Sequence, residues 1–262
     1  MDHGPSHPPV HLRRGGTSVV IDLADAPVIV HWGADLGELA PDDLMAMVRA
    51  DRPQRVSGGL DLGVRHGLVA TPATGWLGTP GIEGDREGAG FALHFETTAV
   101  SLNEHAVVID LADQESSLSA RVELIVGEAG LLRQRLTVTN TGVTPFTVQA
   151  MQVGLPVPWE STEVLDTTGR HLRERSAQRH GLTYGTYVRE SRRGRPGADA
   201  TLLLAAGQPG FGFERGLVHG IHVAWSGNHR VLAERVVTGD AFLAGGELFA
   251  PGEVMIAPGT SV

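Results

Sequence analysis

The chain has 262 residues, 41% apolar and 19% charged, enough to bury a sizeable core without disulfide or metal staples. Its 30 acidic and 21 basic side chains give a formal net charge of −9, which disfavours nucleic acid as a partner. It contains no cysteine, which excludes disulfides, thiol nucleophiles and cysteine-bound zinc.

The N-terminus, Met1 to Pro9, is polar and proline-rich, and no apolar run reaches membrane-spanning length, so a cytoplasmic protein without a membrane partner is expected. His3, His7 and His11 recur every four residues, but Pro5, Pro8 and Pro9 forbid a helix that would gather them, and all three are read as tail residues. Thr17 to Leu23 and Pro27 to Trp32 read as strands. Asp42 to Asp51 reads as a short helix, with Leu44, Met47 and Val48 at helical spacing, Asp42 or Asp43 as cap and Pro53 as its stop. A glycine-rich, loop-like stretch covers residues 52 to 90. Strands resume at Gly90 to Ala99, His105 to Asp110 and Ser117 to Val126. Leu132 to Asn140 alternates apolar and polar residues, and Asn140-Thr-Gly142 signals a turn. The expectation is a long hairpin returning along Phe146 to Leu155. Further strands are read near Leu202 to Ala206, His219 to Trp225, Arg230 to Val237 and Glu247 to Phe249. Short strands at such spacing predict a single all-β domain, a sandwich or barrel.

His219 and His222 lie on a strand-like segment, where positions three apart face opposite sides, so they are not read as a metal pair. No nucleophile elbow, zinc-protease helix or phosphate loop is present, and no catalytic, metal or cofactor residue is assigned. Eight arginines fall between Arg170 and Arg195, interleaved with Glu174 and Glu190. They read as an inter-subunit or inter-domain surface of arginine–carboxylate pairs. Trp225-Ser-Gly-Asn228 has the aromatic and amide groups of sugar sites, and equally those of a strand end with a turn.

Several ordered blocks carry a family resemblance: Gly169-Arg170-His171, Arg173-Glu174-Arg175, Glu190-Ser191-Arg192-Arg193-Gly194, His222 to Arg230, Gly245-Gly-Glu247 and Pro251-Gly-Glu253. Together they resemble the N-terminal domain of glycoside hydrolase family thirty-six, best known for α-galactosidases. More weakly, Gly75-Trp76-Leu77-Gly78 through Gly84-Asp85-Arg86 resembles the loop before the middle strands. The resemblance implies a β-supersandwich, like that of galactose mutarotase, with one or two short helices. It also implies a separate (β/α)₈ barrel carrying two catalytic aspartates for retaining hydrolysis of α-galactosides. That barrel is expected to be absent from residues 1–262, so the chain alone is expected to be inactive.

The resemblance further implies a tetramer in which this domain reaches a neighbour's active site. Asp85 matches a substrate-contacting aspartate. His171 stands where the family places a substrate-contacting tryptophan, which weakens stacking there. Trp225 and Asn228 complete the expected substrate-binding set. After Gly194 this chain has Arg195, Pro196 and Asp199 in place of the small residues, histidine and Asn-Pro of many members. The expected partners are α-galactoside sugars, the barrel domain and further copies of the chain. Two alternatives differ in class. One is an independent carbohydrate-binding module with Trp76, Trp225 and Asn228 at its rim. The other is a mutarotase-like enzyme, for which no matching histidine–glutamate motif pair is found.

Overall fold

The computed structural model describes residues 7–54, 57–58 and 63–262; His3 and part of the glycine-rich stretch lie outside them. The all-β expectation holds, with 49% strand and 6% helix. The chain opens with β1 (Val10–Arg14), β2 (Thr17–Asp22), β3 (Val28–Ala34) and helix α1 (Pro41–Asp51). A 3₁₀ turn at Pro72–Thr74 and β4 (Ile82–Asp85) follow. Next come β5 (Glu96–Asn103), β6 (Ala106–Asp113), β7 (Leu118–Val126), β8 (Leu132–Asn140), β9 (Phe146–Met151) and β10 (Val153–Val157). The last strands are β11 (Glu163–Arg170), β12 (Arg173–Gly181), β13 (Gly185–Ser191), β14 (Leu203–Gly207), β15 (Val218–His222), β16 (His229–Arg235), β17 (Ala241–Glu247) and β18 (Val254–Ile256). They fall into two compact units: Met1–Trp76, Asp85–Phe146 and Ile256–Val262 form unit 1, and Leu77–Gly84 with Thr147–Met255 form unit 2.

Unit 1 holds a three-stranded sheet, β1-β2-β3, and a four-stranded meander, β5-β6-β7-β8. Strict alternation puts Val107, Ile109 and Leu111 of β6 opposite Leu124, Val122 and Ala120 of β7, all buried on one face. The turn joining these strands is fixed by Asp113, whose carboxylate accepts the backbone N–H groups of His94 and Ser116 at 2.8 Å each. Helix α1 ends at Arg52, before Pro53, and buries only Val48. Its cap is Ala40 rather than Asp42 or Asp43. Pro41 takes the first helical position, where its missing N–H costs nothing, so both aspartates fall inside the first turn. His11 is likewise no tail residue. It lies in β1 and its Nε2 sits 2.9 Å from Ser18 Oγ.

The long hairpin expected from 132 to 155 does not form. The Asn140–Gly142 turn is real, with the Gly142 N–H donating to Asn140 Oδ1 at 2.9 Å. The edge of β8 is instead filled by the C-terminal segment. Val138 and Val262 exchange backbone hydrogen bonds of 2.8 and 2.9 Å, and Asn140 pairs with Thr260 and Gly259. With those ladder groups taken, β9 pairs elsewhere, in the sheet β18-β9-β4. The Asn140 side chain, fully buried, ties this corner together. Its Nδ2 donates to the carbonyls of Thr144 and Ile256 at 2.8 and 2.9 Å, and its Oδ1 also accepts Arg86 Nη2 at 2.7 Å. Arg86 donates in addition to the carbonyls of Ser116, Ser117 and Thr144, and its guanidinium lies 5.4 Å from the Phe146 ring centre.

Unit 2 holds two four-stranded sheets, β10-β17-β16-β13 and β12-β11-β14-β15. The sheet β18-β9-β4 also belongs to it, apart from the terminal residues Asp85, Phe146 and Ile256. Strands β16 and β17 are central in their sheet. Val231 to Ala233 and Ala241 to Ala244 are buried at consecutive positions, so both faces are covered. Among the described residues no helix is long and apolar enough to cross a membrane.

His66 is buried with its ring edge-on to Trp76, centroids 5.0 Å apart, and burial pushes its pKa from 6.5 down to about 4. Between those values the unfolded chain binds a proton that the folded chain refuses, so stability is complete above 6.5 and falls as pH drops towards 4. The window is worth roughly 3 kcal/mol. Chemical denaturation of His66→Leu against pH is expected to show a flatter profile there than the parent; an unchanged slope contradicts the assignment. Asn140→Ala leaves buried carbonyls and N–H groups without their partner and is expected to cost about 3 kcal/mol in urea unfolding. A cost within about 0.5 kcal/mol of zero, the range of an ordinary surface change, contradicts its role.

Candidate functional site

The two principal sheets of unit 2 bring several loops to one end. In the first sheet β13 runs antiparallel to β16, so Glu190 faces Arg230 and Ser191 faces His229. The Glu190–Arg230 pair is therefore a cross-strand neighbour pair of opposite charge. Arg230 gives its Nε (2.8 Å) and Nη2 (2.6 Å) to Glu190 Oε1. Just past the strand, Arg192 turns back and gives Nε (3.0 Å) and Nη2 (2.6 Å) to Glu190 Oε2. Burial alone would raise the Glu190 pKa; the two guanidiniums outweigh it and hold the carboxyl below its usual value. Both oxygens are thus used by charge-assisted bonds.

The turn after Ser191 is fixed from two sides. Ser191 Oγ donates to the Arg195 carbonyl at 3.1 Å, and the Gly194 N–H donates to Asn228 Oδ1 at 2.7 Å. Gly194 has φ +69°, a conformation that suits glycine. The Asn228 carbonyl accepts the Leu248 N–H at 3.0 Å, so Asn228 joins the 191–195 turn to the exit of β17. Trp225 folds back over its own segment: a methyl on Gly227 would lie 2.5 Å from its Nε1. Trp225 as a residue is 46% exposed. The local alternatives for this segment therefore combine, since Asn228 makes the turn and Trp225 still presents ring surface.

In the second sheet, β11 pairs with β14 and β14 with β15, in a register that sets Leu203 opposite His222. Beyond that end the β11–β12 hairpin continues to a tip at Arg170–Arg173. Gly169 is required there because a Cβ would strike the Arg173 carbonyl. Leu172 and Arg175 carry φ of +64° and +53°, uncommon for residues with side chains. The His171 side chain is 91% exposed and stands 3.9 Å from Glu174, and Leu172 is 85% exposed. The hairpin base is stiff. Asp166, almost fully buried, accepts the Tyr187 hydroxyl and pairs with Arg189 Nε, both at 3.0 Å, while His180 stacks on Tyr187. Burial and the Asp166 charge push the Tyr187 pKa up to about 12. Arg189 also donates to Thr168 Oγ1 at 3.1 Å and to the Asp199 carbonyl, linking β13, β11 and the 192–202 loop.

His171, Trp225 and Asn228 thus sit at one end of unit 2, with Trp225 and Asn228 on a single turn. Asp85 belongs to unit 1, where its Oδ1 accepts the Gly88 N–H at 2.6 Å. Trp76 is 4% exposed and packs against His66, so it is no rim residue. His219 is buried and His222 exposed, as opposite faces of β15 require. Among the described residues no group of three or more histidines and carboxylates is arranged to hold a metal. The arginine block does pair with carboxylates: Arg179 with Glu163, Arg189 with Asp166, Arg192 with Glu190 and Arg193 with Asp199. Sequence reasoning missed Glu190 as an organiser, although Glu190 falls in one of its blocks. Its partner Arg230 lies 40 residues away and is brought opposite it by the β13–β16 register.

The family model for the glycosyl hydrolase family 36 N-terminal domain matches residues 25–257, across both units. An alpha-galactosidase of Escherichia coli is 32% identical over 242 residues, 92% of this chain and 34% of that protein. The chain thus spans about a third of the curated relative it matches. Among solved structures, an alpha-galactosidase variant from Geobacillus stearothermophilus in complex with raffinose superposes with a TM-score of 0.80 at 19% identity, over 97% of this chain and 39% of that one. An alpha-galactosidase from Lactobacillus brevis gives 0.80 at 15% identity, over 97% and 38%. The fold is that of the N-terminal parts of these enzymes, and the chain belongs to the N-terminal domains of glycosyl hydrolase family 36.

Proposed function

We propose that residues 1–262 act as the non-catalytic N-terminal domain of an α-galactosidase, contributing to oligomer assembly and substrate recognition rather than to bond cleavage. The observation that carries this reading is the β11–β12 hairpin. Its tip projects an almost fully exposed His171 and Leu172, two non-glycine residues there adopt left-handed backbone, and a buried Asp166–Tyr187–Arg189 cluster stiffens its base. A segment that keeps apolar surface and strained backbone in solvent is suited to insertion into another surface. His171 and Trp225 would lie against an α-galactoside, and Asp85, in unit 1, is a separate candidate acceptor for a sugar hydroxyl. The raffinose complex of a relative supports that sugar class. The two aspartates that retaining hydrolysis needs would sit on a barrel outside these residues. A cytoplasmic setting suits a chain without cysteine.

The test is a chimera in which this chain replaces the matching third of the E. coli α-galactosidase. The chimera is expected to cleave a chromogenic α-galactoside and to keep the parent's oligomeric mass. Replacing residues 170–175 by a tight Asn-Gly turn is expected to lower kcat/KM at least tenfold or to dissociate the oligomer. A shortened chimera with unchanged rate and mass overturns the reading, as does a folded full chimera without activity.

A further inference from the structure

The tip of the β11–β12 hairpin concentrates positive charge. Residues 170–175 read Arg-His-Leu-Arg-Glu-Arg, three arginines and one glutamate, a net +2 with histidine neutral, in a chain whose formal net charge is −9. All six residues are exposed. The strand register sets Arg170 directly opposite Arg173. Like charges so placed repel, with Cβ atoms only about 5 Å apart. The one carboxylate of the tip, Glu174, accepts the Leu172 N–H at 2.7 Å and stands 3.9 Å from His171. Elsewhere in the block arginine meets carboxylate, at Arg179, Arg189, Arg192 and Arg193. Among the described residues no ion pair reaches Arg170, Arg173 or Arg175.

Simple solvation explains neither the leucine nor the backbone of this tip. The turn His171-Leu172 is two residues long, and Leu172 takes φ +64°, where glycine or asparagine would turn without strain. Strain and like-charge repulsion both oppose the hairpin as it stands, and an anionic neighbour relieves the repulsion. Guanidinium forks bind carboxylates and phosphates. A small phosphate ester needs a concave site, whereas this tip projects with residues 170–175 all facing solvent. A nucleic-acid backbone is repelled by the −9 charge of the chain. A protein surface rich in aspartate and glutamate meets neither objection. Leu172, 85% exposed among the three arginines, matches the apolar centre and arginine-rich contacts of protein interfaces.

We propose that the β11–β12 tip docks onto a carboxylate-rich protein surface, with Leu172 at the centre of the contact and Arg170, Arg173 and Arg175 as its carboxylate-binding rim. This deepens the assembly reading and rests on it for the role of the hairpin as an inserted segment.

Fluorescence anisotropy of a hexaglutamate peptide bearing an uncharged dye, titrated with the 262-residue chain, tests the docking chemistry. Sub-millimolar binding is expected at low salt, weakening at least tenfold by about 0.5 M NaCl, where screening acts within ~4 Å. Arg170→Gln, Arg173→Gln and Arg175→Gln combined are expected to weaken binding at least tenfold. Arg133→Gln, at an exposed position of β8, is expected to leave it within twofold. Arg173→Gln alone is expected to weaken binding at least threefold and to keep or raise the urea midpoint, because the facing pair is lost; it decides the matter should the triple variant not fold. No binding at millimolar peptide in low salt overturns the proposal. So does binding that the arginine variants keep, a lower urea midpoint in Arg173→Gln, or stronger competition by inorganic tripolyphosphate than by unlabelled peptide. Loss of rate or mass in the shortened chimera without peptide binding removes this proposal and leaves the assembly reading. Peptide binding beside an unaffected shortened chimera removes the assembly reading instead.

Discussion

One carboxylate organises the end of unit 2 that carries the candidate site. Glu190 is set opposite Arg230 by the β13–β16 ladder, and it recovers Arg192 from beyond the strand end. An exposed ion pair contributes between nothing and about 1 kcal/mol, but Glu190 is mostly shielded and uses both oxygens, so losing it leaves the half-buried Arg230 without its carboxylate and releases Arg192 to solvent. The 191–195 turn follows from that anchor. Gly194 then meets Asn228, and Asn228 holds Leu248 at the exit of β17.

Unit 1 shows the same economy at Arg86. The block Gly84-Asp85-Arg86 drew notice because Asp85 matched a substrate contact. In the structure its arginine binds the carbonyls of the β7 entry turn and meets Asn140, whose amide reaches the C-terminal segment. A motif selected for binding can thus contain a residue whose work is structural, here the arginine next to the candidate ligand-binding group.

Much of the fold was legible where one face is wet and the other dry. Leu132 to Asn140 alternates along its whole length, Thr17 to Asp22 is β-branched and apolar, and Pro53 stops α1. Strands β11 to β13 were not legible, because their arginines, glutamates and threonines give no apolar run and their order comes from cross-strand charge pairs. The misread hairpin has a different cause: the partner of β8 lies some 120 residues downstream, beyond any local window. Of the candidate site, the residue types at 171, 225 and 228 could be read from family blocks. The burial of Trp76 under His66 and the convergence of Arg192 and Arg230 on Glu190 could not, since each depends on packing between distant segments.

On the proposed reading these residues provide shape and binding surface without bond cleavage. The most direct measurement is the rate at which the purified 262-residue chain releases chromophore from an aryl α-galactoside. The account predicts no rate above the uncatalysed reaction at any pH, even at high protein concentration. Robust, saturable turnover by this chain alone would contradict it.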